Sequence, residues 1–559
     1  MNAYYIDNFK NLEIAIKKLN EFEFLGIDIE TNGLEPLYND ILLIQIGTPS
    51  VQCVFDVHKL GNHIFELIKF LNRKTETTFI AHNAKFDYSF LNVKYKFNPA
   101  KLVCTMIGEQ LLTQGIKKVE YNIHAVLEKY IGKKIDKEQQ TRFIDKIPGC
   151  EFTEKQLDYA AIDVEYLVPL YLRINTLLKE RGMEGLAKLE YETTMVTGDL
   201  ETAGIYINDK EWLKLKNVAA NNVTTAKHEL DKYFKPYCSA DMFGEMTINY
   251  NSPAQVLPVI NKICKKTFKS TSATILKTHK SAYPVIEALL HYREEAKKIS
   301  TYGEVFLHTH TKKDGRIHSN FIQLGARTGR YSSRNPNMTN IPRDQKYRTP
   351  FQAQLDDWLF ISADFSQQEL RLLVELSGEK RFIEAIEQNK DLHCFSASLL
   401  YDIPYETFFD SDGKIDKEMG LKYRTPAKSI TFGLLYGMGI MRLAKDLNLD
   451  FKTAKDLLKK YFDTFPNIKS CMDNLEDEAK KNKYAFSPLD GRRKDLSGLD
   501  WDNPRSVSHA MNQSKNLPFQ GAGASTIKKA GCIIRKEILK KSYDAKIVNI
   551  IHDSRNCHD

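Results

Sequence analysis

An α/β domain over residues 1 to about 185, followed by a larger α+β domain, is what the sequence predicts. Three observations support this. Short apolar strands ending in carboxylates alternate with helical segments through the first 185 residues. From about residue 186 the spacing of apolar residues becomes mostly helical. Two later apolar stretches, Phe360-Ile-Ser-Ala-Asp364 and Lys546-Ile-Val-Asn-Ile-Ile-His-Asp553, each read as a buried strand that delivers an aspartate to its end.

The chain has 559 residues, enough for several domains, and 42% of them are hydrophobic, enough for large cores. The net charge of +8 is mild for this length, so a nucleic-acid role must come from local basic surfaces. Nine scattered cysteines include no CxxC pair, which argues against zinc and disulfide frameworks. The first residues show no basic region followed by an apolar run, and no apolar run reaches membrane-spanning length. A soluble, reducing, cytoplasmic setting is the expectation.

Phe22-Glu-Phe-Leu-Gly-Ile-Asp-Ile-Glu30 reads as a strand whose period of two puts Asp28 and Glu30 on one face. Residues 41–47 and 51–56 read as the next two strands. Thr78 to Asp87 reads as a short strand entering a helix that carries Asp87. Thr153 is a candidate N-cap, with Gln156 completing a capping box, for a long helix. Tyr159 and Asp163, four apart, share a face of that helix. One acidic pair on a strand is usually solvated surface charge. Four carboxylates with a tyrosine are what two divalent ions and an oriented water need to cleave a phosphodiester.

Asp28-Ile-Glu30-Thr-Asn-Gly, Asn83-Ala-Lys-Phe-Asp87 and Tyr159-Ala-Ala-Ile-Asp163 resemble, in order and spacing, the three motifs of DEDDy-type 3′–5′ exonucleases, as found in the proofreading domain of family A DNA polymerases. The resemblance implies an RNase H-like fold over 1–185, metal ligation by Asp28, Glu30, Asp87 and Asp163, and a water positioned by Tyr159. It also implies a right-hand polymerase domain over 186–559. The thumb would span about 190–320, the palm about 321–380 and 500–559, and the fingers about 381–499.

Residues 190–208 read as a helix ending near Gly204, and further helices are expected over 210–234 and 283–302. The Lys-, Ser- and Thr-rich stretch at 265–274 reads as a solvated loop by composition, and as part of a DNA-gripping thumb by resemblance. Asn251-Ser-Pro-Ala-Gln-Val-Leu resembles a thumb motif. The Gly- and Arg-rich segment 316–342 suits either a surface loop or phosphate and minor-groove contacts. It resembles the lead-in to the palm, in which Arg330 of Thr328-Gly-Arg330 contacts template-primer.

Asp364, at the changeover from apolar to amphipathic sequence, could cap the following helix or hold a metal ion. Asp364-Phe-Ser-Gln-Gln-Glu369-Leu-Arg resembles polymerase motif A. The resemblance makes Asp364 a metal ligand and Glu369 the gate against a 2′-hydroxyl. Asp391-Leu-His393 resembles a phosphate-contacting site of the fingers. Arg424, Lys428, Phe432 and Tyr436 fall every four residues, drifting by roughly 40° per step, and so line one broad helix face. Its cationic end suits a triphosphate and its aromatic end a base. Pro426 places the start of that helix near Thr425. The pattern resembles motif B, with Thr431 where asparagine usually precedes the phenylalanine. Asn516 and Gln520 match a minor-groove pair, while Asn512 stands where the family has arginine.

Lys546 to Asp553 resembles motif C, in which Asp553 is the second shared metal ligand, but Ser554 replaces the usual glutamate. The polar tail Ser554-Arg-Asn-Cys-His-Asp559 stands where the family has an apolar returning strand. Codons for Arg-Asn-Cys-His-Asp read one base later permit Glu-Ile-Val-Met. The expectation is a chain truncated or frame-shifted after Asp553, with weak polymerisation and an active exonuclease; an interrupting insertion such as an intron and a naturally short enzyme are the alternatives.

The reading is a DNA-directed DNA polymerase with a proofreading exonuclease, acting in replication or repair. It implies two Mg²⁺ ions per active site (Mn²⁺ as the alternative), with Asp364 and Asp553 holding the polymerase pair. Lys428, Arg424 and His393 would neutralise the triphosphate, with Lys428 protonating the leaving group. Primer-template DNA and dNTPs are the implied partners. A processivity factor is not identifiable, no membrane is involved, and a bacterial or bacteriophage source is suggested by analogy. Two other classes stay open: an exonuclease whose polymerase half is impaired by truncation, and a non-catalytic primer-template binding protein.

Overall fold

The computed structural model describes residues 3–134, 143–144, 146–239, 241–242, 246–341, 345–435 and 438–551. Its first element is a six-stranded sheet built from β1 (Ala3–Ile6), β2 (Phe24–Thr31), β3 (Ile41–Thr48), β4 (Val51–Asp56), β5 (Thr78–Ala81) and β6 (Leu102–Cys104), in the order β1-β4-β3-β2-β5-β6. The meander β2-β3-β4 is antiparallel; β1 joins β4, β5 joins β2 and β6 joins β5 in parallel. β3 is buried along its whole length, as the continuous apolar run Ile41-Leu-Leu-Ile requires of a strand covered on both faces.

Helix α1 (Lys85–Tyr95) follows β5, and α2 (Glu154–Glu165) packs on β2, β3 and β4. The capping box is present: the Thr153 hydroxyl accepts from the Gln156 backbone N–H, and the Gln156 side chain accepts from the Thr153 N–H. Such a box satisfies two otherwise orphaned donors, and replacing its N-cap costs about 1 kcal/mol. Helix α3 (Glu184–Ala203) ends immediately before Gly204, as the sequence predicts.

The chain packs as two units, one of residues 1–203, 321–334 and 363–559, the other of residues 204–320 and 335–362. In the second, α4 (Asp209–Phe234) lies against α5 (Pro284–Tyr302), over a core that includes Leu230, Phe234, Tyr250, Ile260 and Leu289. Both helices lie within two residues of their expected bounds. The first unit also contains α6 (Gln368–Ser377), α7 (Leu392–Tyr401) and α8 (Thr425–Leu435), whose core includes Leu370, Phe382, Leu392, Phe408, Ile430 and Phe465. Its last helix, α9 (Pro504–Lys541), carries Pro518 internally.

Two expectations are corrected. Residues 360–364, expected as a buried strand ending in Asp364, are irregular and exposed. Residues 546–551 are likewise irregular, with Ile550 buried and Ile551 exposed. Both stretches have strand-like composition, but neither pairs with a neighbour among the described residues. A lone strand leaves its N–H and C=O groups without partners, so apolar composition alone does not make one. Asp553 and Tyr436 lie outside the described residues.

Candidate active sites

β2 presents Asp28 and Glu30 on one face, while Ile27 and Ile29 go into the core on the other. Asp28 stands opposite Gln45 of β3 and Glu30 opposite Leu43, with the register shifting just past Glu30. α2 lies over this face and contributes Tyr159 and Asp163 one turn apart. α1 contributes Asp87 from its first turn, where the helix N-terminus favours negative charge. Ligand oxygens of Asp28, Glu30 and Asp163 lie within 4.8 Å of one another. Asp87 hydrogen-bonds Asp28, so all four carboxylates meet in one place.

The electrostatics are those of a site built for added positive charge. Burial pushes the Asp28 carboxyl up to about 7, against lowering hydrogen bonds from the Ile29 backbone and Asp87. Glu30 is raised by burial and then by the charges of Asp28, Asp163 and Asp87. Asp87 and Asp163 are raised by burial and then by Asp28. Tyr159, only 6% exposed, is raised by burial and by Asp163, to which it is hydrogen-bonded. Asp163 Oδ1 is buried without a hydrogen-bond partner among the described residues. A buried acceptor without a donor, among three like charges, fits a divalent cation. The cluster can hold such a cation between oxygen ligands and aim one hydroxyl at its edge.

The second set of predicted residues is gathered differently. Arg330 is ion-paired with Glu369, which sits in the first turn of α6. Arg424 makes a two-pronged contact with Asp391, Nε to Oδ1 at 3.2 Å and Nη2 to Oδ2 at 2.9 Å. Asp391 also caps α7, accepting from the N–H groups of His393 and Cys394. These partners overcome burial and hold its carboxyl down at about 2. Burial and the nearby Arg424 push the His393 imidazole down to about 4, with Lys428 adding to the effect, so the ring is neutral at pH 7. The residue type alone does not reveal that neutrality. Arg424 lies immediately before α8, with Lys428 four residues later in that helix and Phe432 in the same helix. Asn516 and Gln520 lie one turn apart on α9, with the Gln520 amide 3.5 Å from the Asn516 side-chain oxygen. Asp364 makes no hydrogen bond or ion pair among the described residues, and the structure does not bring it into a carboxylate cluster.

Sequence reasoning missed a buried charge cluster beside these residues. Glu190 on α3 pairs with Arg492 at 2.9 Å and with Lys528 of α9 at 2.8 Å, all with fully buried side chains. Nothing in the local pattern marks these three as internal.

Residues 219–555 match the family model for DNA polymerase family A, and residues 4–179 match a 3′-5′ exonuclease model. A DNA polymerase I from Borreliella burgdorferi is 29% identical over 97% of this chain and 59% of its own length. One from Aquifex aeolicus is 29% identical over 99% of this chain and 92% of its own length. This chain therefore spans little more than half of the first relative and nearly all of the second. The fold resembles the POL domain of Pol1 from M. smegmatis, solved in complex with DNA primer-template and dNTP. That likeness has a TM-score of 0.80 at 22% identity and covers 98% of this chain and 91% of the other. No helix among the described residues is long and apolar enough to cross a membrane.

Proposed function

The chain belongs to DNA polymerase family A, and from that membership we propose that it extends primers on a DNA template and trims 3′ ends in an exonuclease site at Asp28, Glu30, Asp87 and Asp163. The observation that carries the exonuclease reading is the convergence of those carboxylates with Tyr159, including one buried oxygen without a donor. Mg²⁺, or Mn²⁺, held there would supply Lewis acidity toward water and the scissile phosphate. The protein's own part is to hold four carboxylates close enough that cation binding displaces their protons. Tyr159 keeps its hydroxyl directed at the cluster through Asp163, placed to orient an entering water.

In the polymerase site, Asp364 and Asp553 would hold the second pair of cations. Lys428 is the donor we assign to the leaving pyrophosphate, since its ammonium follows Arg424 by one helical turn. Arg424, now shared with Asp391, would turn toward the triphosphate, and neutral His393 would contribute a hydrogen bond rather than a charge. Glu369 would fill the space beside the sugar C2′, steadied by Arg330. Phe432 and Tyr436 would stack on the incoming base. Arg330, Asn516 and Gln520 would meet the minor groove, where acceptors occupy nearly the same place in every correct pair. Primer-template DNA and dNTPs are the substrates, and a cytoplasmic setting suits them. On this reading the exonuclease takes residues 1–185 and the polymerase residues 186–559, with the thumb at about 190–320.

The test is incubation of a labelled primer-template with Mg²⁺, with and without dNTPs. Extension with dNTPs and shortening without them are expected. Replacing Asp28 and Glu30 with Ala should abolish shortening while leaving DNA binding intact; trimming that survives would remove the exonuclease assignment.

A further inference from the structure

We propose that Arg535, from the polymerase half, is a positioning residue for the exonuclease, fixing helix α1 so that Asp87 reaches the carboxylate cluster. The inference rests on the exonuclease reading above. Arg535 is 9% exposed on α9. Its Nε donates to Asp199 Oδ2 at 2.6 Å, and its Nη2 donates to the Tyr88 hydroxyl at 2.8 Å and to Asn98 Oδ1 at 2.6 Å. The Tyr88 hydroxyl in turn donates to Asp199 Oδ1 at 2.5 Å. Tyr88 adjoins Asp87 in the first turn of α1.

A second, independent anchor holds the same helix. Lys85 Nζ donates to Glu201 Oε1 at 2.7 Å and to the Phe321 carbonyl at 2.9 Å. α3 lies between α1 and α9 and packs on both. Gly198 permits this approach, since a Cβ there would stand 2.7 Å from the Tyr88 ring. At 100° per residue, Lys85 points about 160° and Tyr88 about 100° away from Asp87. One side of α1 is therefore bolted down while the other presents the carboxylate. Every anchor (Asp199, Glu201, Phe321, Arg535) lies beyond residue 179, where the exonuclease match ends.

Asp87 has little tolerance for displacement, because it is buried and hydrogen-bonded to Asp28. Misplacement by about 1 Å can cost roughly 10²-fold in rate. Arg535→Met deletes the fork that ties Tyr88 to Asp199. Arg535→Lys keeps the charge opposite Asp199 but loses the planar, multiple contact.

The experiment uses the full chain and a single-stranded oligonucleotide. For Arg535→Met the expected results are a fall in exonuclease kcat of about 10- to 100-fold, an unchanged KM for the oligonucleotide, and a raised Mg²⁺ concentration for half-maximal rate. Primer-template affinity should be unaltered, and Arg535→Lys should recover part of the loss. Two readouts do not need turnover: weaker calorimetric binding of Mn²⁺ to the DNA-free protein, and faster amide exchange confined to residues 85–95. If Arg535→Met does not fold, Tyr88→Phe, which removes only the hydroxyl, carries the same comparison. Unchanged kcat, Mn²⁺ binding and exchange overturn the proposal, as does a loss shared equally with primer-template binding. Asp28→Ala separates the two levels. If it abolishes trimming while Arg535→Met has no effect, only the positioning role fails; if it leaves trimming intact, the exonuclease reading fails.

Discussion

Asp28→Asn should stabilise the metal-free protein while destroying its exonuclease. Asp28 titrates near 7 in the folded chain against 3.8 for the free side chain, a gap of about three pH units. At 1.36 kcal/mol per unit, the ceiling on the stability cost is ~4 kcal/mol. Asp28 is half-buried and stands against Asp87, so its titration is linked to that of its neighbour and ~1–3 kcal/mol is the working expectation. The sign follows from which state loses its proton first. Between about pH 4 and 7 the unfolded chain has released it and the folded chain has not, so rising pH favours unfolding. The stability held by neutral Asp28 is intact below pH 4 and gone above pH 7. Asparagine is neutral throughout, so the variant's advantage should be slight near pH 4, grow to pH 7 and then level off. The assay is urea unfolding in EDTA at a series of pH values, repeated with saturating Mg²⁺. The metal should reverse the order, because ligand at 100 times its Kd adds about 2.7 kcal/mol to the wild type. An advantage that is absent at pH 8, or equal at pH 4 and pH 8, would refute the reasoning.

Tyr159→Phe should lower exonuclease kcat by about 10²-fold. It should also move the acidic limb of the pH–rate profile upward, since Asp163 loses its hydroxyl donor; an unmoved limb would leave Tyr159 without that contact. Glu369→Ala should relax discrimination against ribonucleotides in paired dNTP and rNTP extensions, and unchanged discrimination would remove the gate role. Lys528→Met should destabilise the fold by about 3–5 kcal/mol, because it leaves the buried Glu190 carboxylate with one cation fewer. Adding Glu190→Gln should return part of that loss, and strict additivity in denaturant midpoints would show the two residues to be uncoupled.

The carboxylate cluster was legible because each part has a local signature. Period two placed Asp28 and Glu30 together, period 3.6 placed Tyr159 and Asp163 together, and Thr153 with Gln156 marked where α2 begins. The contact between Asp28 and Asp87 was not legible, because it depends on how α1 leaves β5. Residues 360–364 and 546–551 depart from the strand expectation for a related reason. Their apolar residues satisfy the propensity of a strand, but a strand exists only beside another, and composition does not report the neighbour. Arg424 and His393 showed their residue types but not their states. Only the fold reveals that Asp391 sits between them, holding one cation while burial neutralises the other.

The buried charges at Glu190, Arg492 and Lys528 explain something the motif Thr328-Gly-Arg330 leaves obscure. The Lys528 ammonium donates to both Glu190 oxygens and to the backbone carbonyls of Gln323 and Gly329, at 2.8 to 2.9 Å. Those carbonyls stand at either end of the loop between strands 320–322 and 332–334. Burial pulls the ammonium down to about 8, while Lys528 and Arg492 hold the Glu190 carboxyl low against the push of burial. Arg492 completes the arrangement with a second bond to Asp490, so two cations face two carboxylates in the same dry volume. An apolar side chain at 528 would leave two loop carbonyls without donors, each costing about 1–3 kcal/mol. Gly329 has φ +84, and a Cβ on it would stand 2.3 Å from the Arg492 guanidinium carbon. The glycine is therefore required by what lies beneath the loop, whatever lies above it. Fixing the loop at Gln323 and Gly329 leaves Arg330 as the next residue out, already paired with Glu369. The two polymerase-side residues assigned to the minor groove and the sugar are thereby held to one rigid base before any substrate arrives.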